Sequence, residues 1–225
     1  AGNWKMNTTV PDAVVLAVQL KDELDKVFGM EKVICPPFVS LMALSSMFDG
    51  TTIQLGAQTM HAEEKGAYTG EVSVQMLVGI CKYVILGHSE RRQLFGETNE
   101  SVNLKMKAAI SHAITPIICV GETLDDRESG KAKDVVLNQL RNSLSGIGVT
   151  EKIAIAYEPL WAIGSGITPK IDEIVEIHSF IKNMIPKTKD FRVLYGGSVN
   201  SENSIEILSK NSVDGILVGS ASINV

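Results

Sequence analysis

Aromatic side chains are scarce, 5% of 225 residues, and proline occurs only seven times. A core built with so few rings must rest on Val, Ile, Leu, Ala and Met. Cysteine is also rare, and Cys35, Cys81 and Cys119 are odd in number, far apart and set in apolar runs. They read as reduced core residues of a cytoplasmic protein, not as a disulfide frame or a zinc site. There is no basic excess: 21 Lys and Arg stand against 26 Asp and Glu, a formal net charge of −5. Nucleic acid, whose backbone demands a basic face, is therefore not an expected partner. No apolar run approaches the span of a bilayer, and no signal-peptide pattern opens the chain, so a membrane is not expected either. Low-complexity segments and interdomain linkers are lacking too, and a single domain over residues 1–225 is expected.

What the chain does have is glycine, 19 residues of it, and a recurring theme. An aliphatic run of four to six residues is followed by a Gly-, Pro- or Ser-containing turn, then by an amphipathic stretch of helical period. The runs at 32–35, 53–57, 83–86, 116–120, 153–157, 192–195 and 216–218 predict strands, and an eighth enters at Gly2-Asn3-Trp4. Helices are predicted over 10–27, 39–47, 72–79, 102–112, 131–145, 172–184 and 202–209. Runs that are continuously apolar rather than alternating belong to strands buried on both faces, hence to a parallel sheet. Seven or eight successive βα units favour a closed (β/α)8 barrel; an open doubly wound sheet is the competing architecture.

Barrel active sites lie at the carboxyl ends of the strands, which turns the strand ends into a list of candidates. Glu158 follows the strand 153–157 and begins a loop, Pro159 to Pro169, with a rigid proline at each end and Gly164 and Gly166 in the middle. A carboxylate beneath such a hinged flap is suited to general-base work; the competing reading is a solvated loop glutamate. His88 ends the run 83–86, and a helical turn starting there would disfavour positive charge on its ring; the alternative is a structural histidine. His61, His112 and His178 show no ligand spacing, and no metal site is expected. Lys5, between Trp4 and Met6, could neutralise an anion and stabilise an oxyanion, or be a surface lysine. The turns Gly196-Gly197-Ser198 and Gly219-Ser220 follow the last two strands, where barrels commonly bind phosphate. Finally, the loop from Gln58 to Glu71 is longer than βα loops usually are. With Tyr68 and Thr69 near its tip it fits docking into a second subunit, or else a disordered excursion.

Five stretches, in order along the whole chain, resemble the triosephosphate isomerase family: Asn3-Trp4-Lys5-Met6-Asn7, Ile85-Leu86-Gly87-His88-Ser89-Glu90-Arg91-Arg92, Cys119-Val120-Gly121-Glu122, Tyr157-Glu158-Pro159-Leu160-Trp161-Ala162-Ile163-Gly164 and Tyr195-Gly196-Gly197-Ser198-Val199. The resemblance implies a TIM barrel that interconverts dihydroxyacetone phosphate and D-glyceraldehyde 3-phosphate by proton transfer, without a cofactor. Glu158 matches the base and His88 a neutral electrophile. Lys5 and Asn3 match groups that bind substrate and stabilise the enediolate, with Glu90 the carboxylate that pairs with Lys5 and Ser89 beside it in support. Gly164, Ser165, Ser198, Gly219 and Ser220 match phosphate-gripping positions. The lid comprises Pro159, Leu160, Trp161, Ala162, Ile163, Gly166, Ile167, Thr168 and Pro169. The loop containing Tyr68 and Thr69, framed by Gln58 and Glu71, matches a dimer loop that packs around the Lys5 region of a second copy, so a homodimer is implied.

The sequence departs from that pattern at Ile167, where the family usually has Lys, and at Ser220, which replaces the second glycine of a Gly-Gly turn. It also starts late in the first strand and stops at Val225, before the family's last helix; a barrel missing both would have an open seam beside the phosphate turns, so a longer natural chain is expected rather than a minimal enzyme. Two other readings stand beside the isomerase. A different phosphate-binding barrel, such as an epimerase or aldolase, would need a metal cluster or Schiff-base lysine. A non-catalytic or impaired barrel of the same family is the second.

Overall fold

Apolar strands buried on both faces need one apolar layer inside the sheet and another beneath covering helices. The computed structural model, which describes residues 1–148, 152–163, 167–185 and 191–224, has both. Among these residues eight strands occur: β1 (Gly2–Asn3), β2 (Lys32–Cys35), β3 (Ile53–Ala57), β4 (Tyr83–Leu86), β5 (Thr115–Val120), β6 (Ile153–Tyr157), β7 (Phe191–Tyr195) and β8 (Gly215–Ile216). They lie side by side in chain order, each neighbouring pair parallel. Alternate residues divide between the layers. Val33, Cys35, Ile85, Ile117, Cys119, Ala154, Ala156, Leu194 and Leu217 form one cluster, which the pleat assigns to the interior. Their neighbours Ile34, Val84, Leu86, Ile118, Val120, Ile153, Ile155, Tyr157 and Val193 join the larger core under the helices.

The helices are α1 (Val10–Asp25), α2 (Leu41–Phe48), α3 (Val74–Leu77), α4 (Ser89–Phe95), α5 (Asn99–Ser111), α6 (Leu124–Glu128), α7 (Ala132–Ser143), α8 (Ile171–Met184) and α9 (Ser204–Leu208). Capping chemistry sets several boundaries. Thr9 and Asp12 form a reciprocal capping box at the start of α1, as Thr98 and Ser101 do for α5. The second box pulls α5 three residues ahead of the predicted start at 102. The helix expected over 72–79 contracts to α3, because Val78 is extended and Gly79 left-handed (φ +81°). Two short helices, α4 and α6, escape prediction because a single turn or two carries no readable period. The former begins at His88 as N-cap and ends at left-handed Gly96; the latter begins with a Thr123–Asp126 box.

The barrel is closed, as the run of successive βα units leads one to expect, and its seam is bonded directly. Asn3 N–H donates to the Val218 carbonyl and Val218 N–H to the Ala1 carbonyl, both at 2.8 Å, and Gly2 bridges Val218 in parallel register. Even two residues of β1 suffice, since each parallel rung needs only the peptide groups of adjacent residues.

Candidate active site

The carboxyl ends of β1, β4 and β6 bring Lys5, His88 and Glu158 to the mouth of the barrel. Glu158 is 2% exposed, and such burial requires partners for its oxygens. Oε2 accepts the Ser89 backbone N–H at 2.9 Å, and Oε1 lies 3.2 Å from His88 Nε2. The Cys119 thiol is beside the same carboxylate; burial, then the nearby Glu158 charge, pushes that thiol well above its usual range, so it stays protonated.

His88 is itself the N-cap of α4, and its Nδ1 accepts the Glu90 N–H at 3.2 Å. An acceptor Nδ1 carries no proton, so the ring is the neutral Nε2–H tautomer and Nε2–H points at Glu158. A neutral imidazole presenting a donor is an electrophile for a carbonyl oxygen, not an acid in the ordinary sense.

Lys5 is held in a left-handed conformation (φ +54°), unusual for a residue with a side chain. The surroundings over-determine it: its N–H donates to Asn3 Oδ1 at 3.0 Å, and its carbonyl accepts from Gln58 Nε2 at 2.8 Å. Backbone strain held in this way aims the side chain inward. Nζ ends 2.5 Å from Glu90 Oε1, the pairing the family resemblance implies. Across the seam, the position a Cβ would take on Gly219 is 3.4 Å from Lys5 Cε, so the turn after β8 lies against this lysine. Ser220 begins a 3-10 turn to Ile223, and among the described residues the non-glycines with positive φ are Lys5, Thr8 and Ala113. Serine thus replaces glycine there without backbone strain. Ser198, expected to grip phosphate, donates its hydroxyl to the Ala162 carbonyl at 2.5 Å, which ties the β7 turn to the flap.

The flap's near end is a 3-10 turn, Leu160–Ala162, entered through extended Pro159. Ile163 N–H closes that turn on the Leu160 carbonyl. Gly164, Ser165 and Gly166 lie outside the described residues. At the far end Ile167 and Thr168 are exposed, Pro169 is buried, and Lys170 caps α8. One carboxylate that sequence reasoning quoted but gave no role organises both ends. Fully buried Glu122 accepts from Tyr157 Oη (2.9 Å), Trp161 Nε1 (3.0 Å) and Arg127 Nη1 (3.4 Å) through one oxygen. Arg127 continues to Glu173 (3.1 Å), whose other oxygen accepts the Lys170 N–H (2.8 Å). The signal available for Glu122 was only its place after β5.

Gln58 turned out to be an inward anchor, bonded to the Lys5 and Cys35 carbonyls. The loop it opens is ordered by its own contacts. His61 N–H donates to the Val72 carbonyl, Glu71 N–H to the Tyr68 carbonyl, and the His61 and Tyr68 rings stack with centroids 4.1 Å apart. Tyr68 and Thr69 remain exposed.

A sequence profile of the family described as triosephosphate isomerase matches residues 1–225. The chain belongs to that family. Proteins named triosephosphate isomerase are similar to it along nearly their whole length. One from Dehalococcoides mccartyi strain ATCC BAA-2100 is 47% identical, covering 99% of this chain and 90% of that protein. Those from Carboxydothermus hydrogenoformans (47%, covering 100% and 93%) and Aquifex aeolicus (44%, covering 100% and 94%) agree. The chain is therefore an enzyme, an isomerase that interconverts dihydroxyacetone phosphate and D-glyceraldehyde 3-phosphate.

Proposed function

We propose that residues 1–225 act as one barrel domain in which Glu158 is the base of the triosephosphate isomerase reaction, His88 its electrophile and Lys5 its cation. The observation that carries the assignment is the convergence of Glu158, the His88 Nε2–H and the Ser89 N–H in one buried place. Glu158 takes a proton from the carbon next to the substrate carbonyl. His88 Nε2–H hydrogen-bonds the carbonyl oxygen as it gains charge, and Lys5 with Asn3 holds the resulting enediolate; the hydroxyl proton then passes from the neighbouring oxygen to the former carbonyl oxygen as Glu158 returns its proton to the former carbonyl carbon. In the structure the two donors are satisfied by Glu158 and Glu90, so an anionic substrate competes with carboxylates already in place. The turns at Gly196-Gly197-Ser198 and Gly219-Ser220, with Gly164 and Ser165 of the flap, receive the phosphate. Flap closure keeps water from the enediolate, which would otherwise lose phosphate. A coupled isomerase assay tests the base: Glu158→Gln should lower kcat by about 10³-fold, within the usual range for a lost general base, while thermal stability stays near that of the parent. Near-normal turnover would sink the assignment.

The acting form is a homodimer joined through the 58–71 loop. Support comes from apolar side chains that follow β1, β2 and β4 and face solvent: Met6 (96% exposed), Val39 (72%) and Phe95 (68%). With the loop, which follows β3, they occupy the first four βα segments, and a second copy presents the same side chains. Sedimentation should give a dimer, and glutamate at Val39 and Phe95 together should shift it to monomer; a parent chain sedimenting as monomer would overturn this. A cytoplasmic setting is supported by Cys35, Cys81 and Cys119, all unpaired and buried. No helix among the described residues is long and apolar enough to cross a membrane.

A further inference from the structure

Gly87 joins β4 to His88 with left-handed backbone, φ +69°. The ladder between β4 and β5 ends at Leu86 and Ile118, and beyond it both peptide groups of Gly87 end on side chains. Its N–H donates to Glu97 Oε2 at 3.0 Å, and its carbonyl accepts from Arg92 Nε at 2.7 Å. Arg92 goes further. Nη2 reaches the carbonyl of Cys119 on β5 at 3.3 Å, and Nη1 donates to Asn99 Oδ1 at the start of α5 at 2.7 Å. One guanidinium thus spans the ends of two strands. The first carries His88, and the second carries the thiol that lies against Glu158. The fork is planar with donors at fixed angles, so three bonds in different directions define its place and that of the groups it holds. Glycine at 87 lets it approach: a Cβ there would sit 2.7 Å from Arg92 Nη2 and 3.0 Å from Val102 Cγ2.

We propose that Arg92 is a positioning residue for the isomerase, a bracket between the carboxyl ends of β4 and β5 that sets where the His88 ring stands relative to Glu158. The proposal rests on the roles assigned above to those two residues. Two of the three groups Arg92 bonds are backbone carbonyls, so its work is geometric rather than neutralisation of a charge. Release of the Gly87 carbonyl frees the peptide unit that enters His88. The Nε2–H then drifts from the position where a developing oxyanion needs it, and displacement of a catalytic group by about 1 Å costs about 100-fold in rate. Phosphate binding is different, because the turns after β7 and β8 make no bond to Arg92. The bracket therefore acts on kcat and spares KM.

Arg92 also lines an outer cavity of about 490 Å³ between α5 and α7, with Asn99, Asn138 and Gln139. That cavity allows chemical rescue. Arg92→Ala should lower kcat by about 100-fold while KM stays within about twofold, and millimolar guanidinium, but not ammonium, should restore a good part of kcat. Arg92→Lys, which keeps the charge and loses the fork, should also lose kcat at constant KM. Full kcat in either Arg92→Lys or Arg92→Ala, or a loss carried by KM, overturns the proposal. If Arg92→Ala does not fold, Arg92→Lys alone decides by the same two outcomes. Glu158→Gln assayed alongside keeps the questions apart. If it remains active, the site assignment fails; if it is inactive beside a fully active Arg92→Lys, only the bracket fails.

Discussion

Two glycines show how narrowly the Glu158 carboxylate is seated. A Cβ on Gly196 would lie 2.9 Å from Glu158 Cγ, whereas one on Gly121 would lie 1.7 Å from the Glu158 backbone carbonyl oxygen. The first obstacle is a side chain that can swing aside, and the second is backbone that cannot. Gly196→Ala should therefore fold with near-parent stability and lose about 10- to 100-fold in kcat as the carboxylate is pushed off its line of attack; steady-state kinetics beside a melting curve separates the two effects. Gly121→Ala should instead lose roughly 3 kcal/mol or more of stability, the upper range for overpacking, read as a lowered denaturant midpoint. At this scale much was legible. Asn-Trp-Lys, Gly-His-Ser-Glu and Tyr-Glu-Pro each mark a strand end where a reactive side chain follows apolar residues. The strain at Lys5 was not legible, because nothing in residues 3–7 announces that Gln58 will hold its carbonyl.

At the level of the element, the flap hinge depends on Glu122. Its Oε1 takes three donors from β6, the flap and the segment α6, while burial and then the Glu122 charge keep the Tyr157 hydroxyl protonated far above its usual range. Removing the carboxylate leaves Tyr157 and Arg127 without it in a buried place. Glu122→Ala should cost roughly 3–5 kcal/mol, the range for breaking a buried charged pair, and urea unfolding measures it. The α4 segment is the counterpart on the other side of the site. Its seven residues place the Ser89 and Glu90 N–H groups against Glu158 and His88. Too short to show a helical period, it was visible beforehand only as the possibility of a turn after His88.

At the scale of the whole molecule, a marked acid sensitivity lies in His178, away from the chemistry. His178 on α8 is fully buried, with ring centroids 5.9 Å from that of Tyr157 and 6.3 Å from that of Tyr195, and bonded through Nδ1 to the Ser212 carbonyl at 3.2 Å. Burial lowers its pKa from 6.5 to about 4. Between these values the unfolded chain holds a proton the folded chain does not, so stability is greatest above pH 6.5 and is lost as pH falls towards 4. The full loss is on the order of 3 kcal/mol. His178→Asn keeps a donor for the Ser212 carbonyl and removes the titration. Its melting temperature should fall less than the parent's between pH 7 and pH 4.5; equal falls would show that other groups dominate.

Strand order, the longer helices, the parallel sheet and the strand-end candidates were readable from the chain, because burial on both faces writes itself as continuous apolar runs and local capping is a matter of a few adjacent residues. The bonds that close the barrel's seam were not, since they depend on peptide groups of Ala1 and Asn3 meeting Val218 more than 200 positions away. Nor were the pairings that orient the site: Gln58 on Lys5, Glu122 on Trp161, Arg92 and Glu97 on Gly87. Each joins a side chain to a group on a different strand or loop, and such bonds have no period or spacing in sequence. They come into being only when the sheet curls and brings the strand ends into one ring.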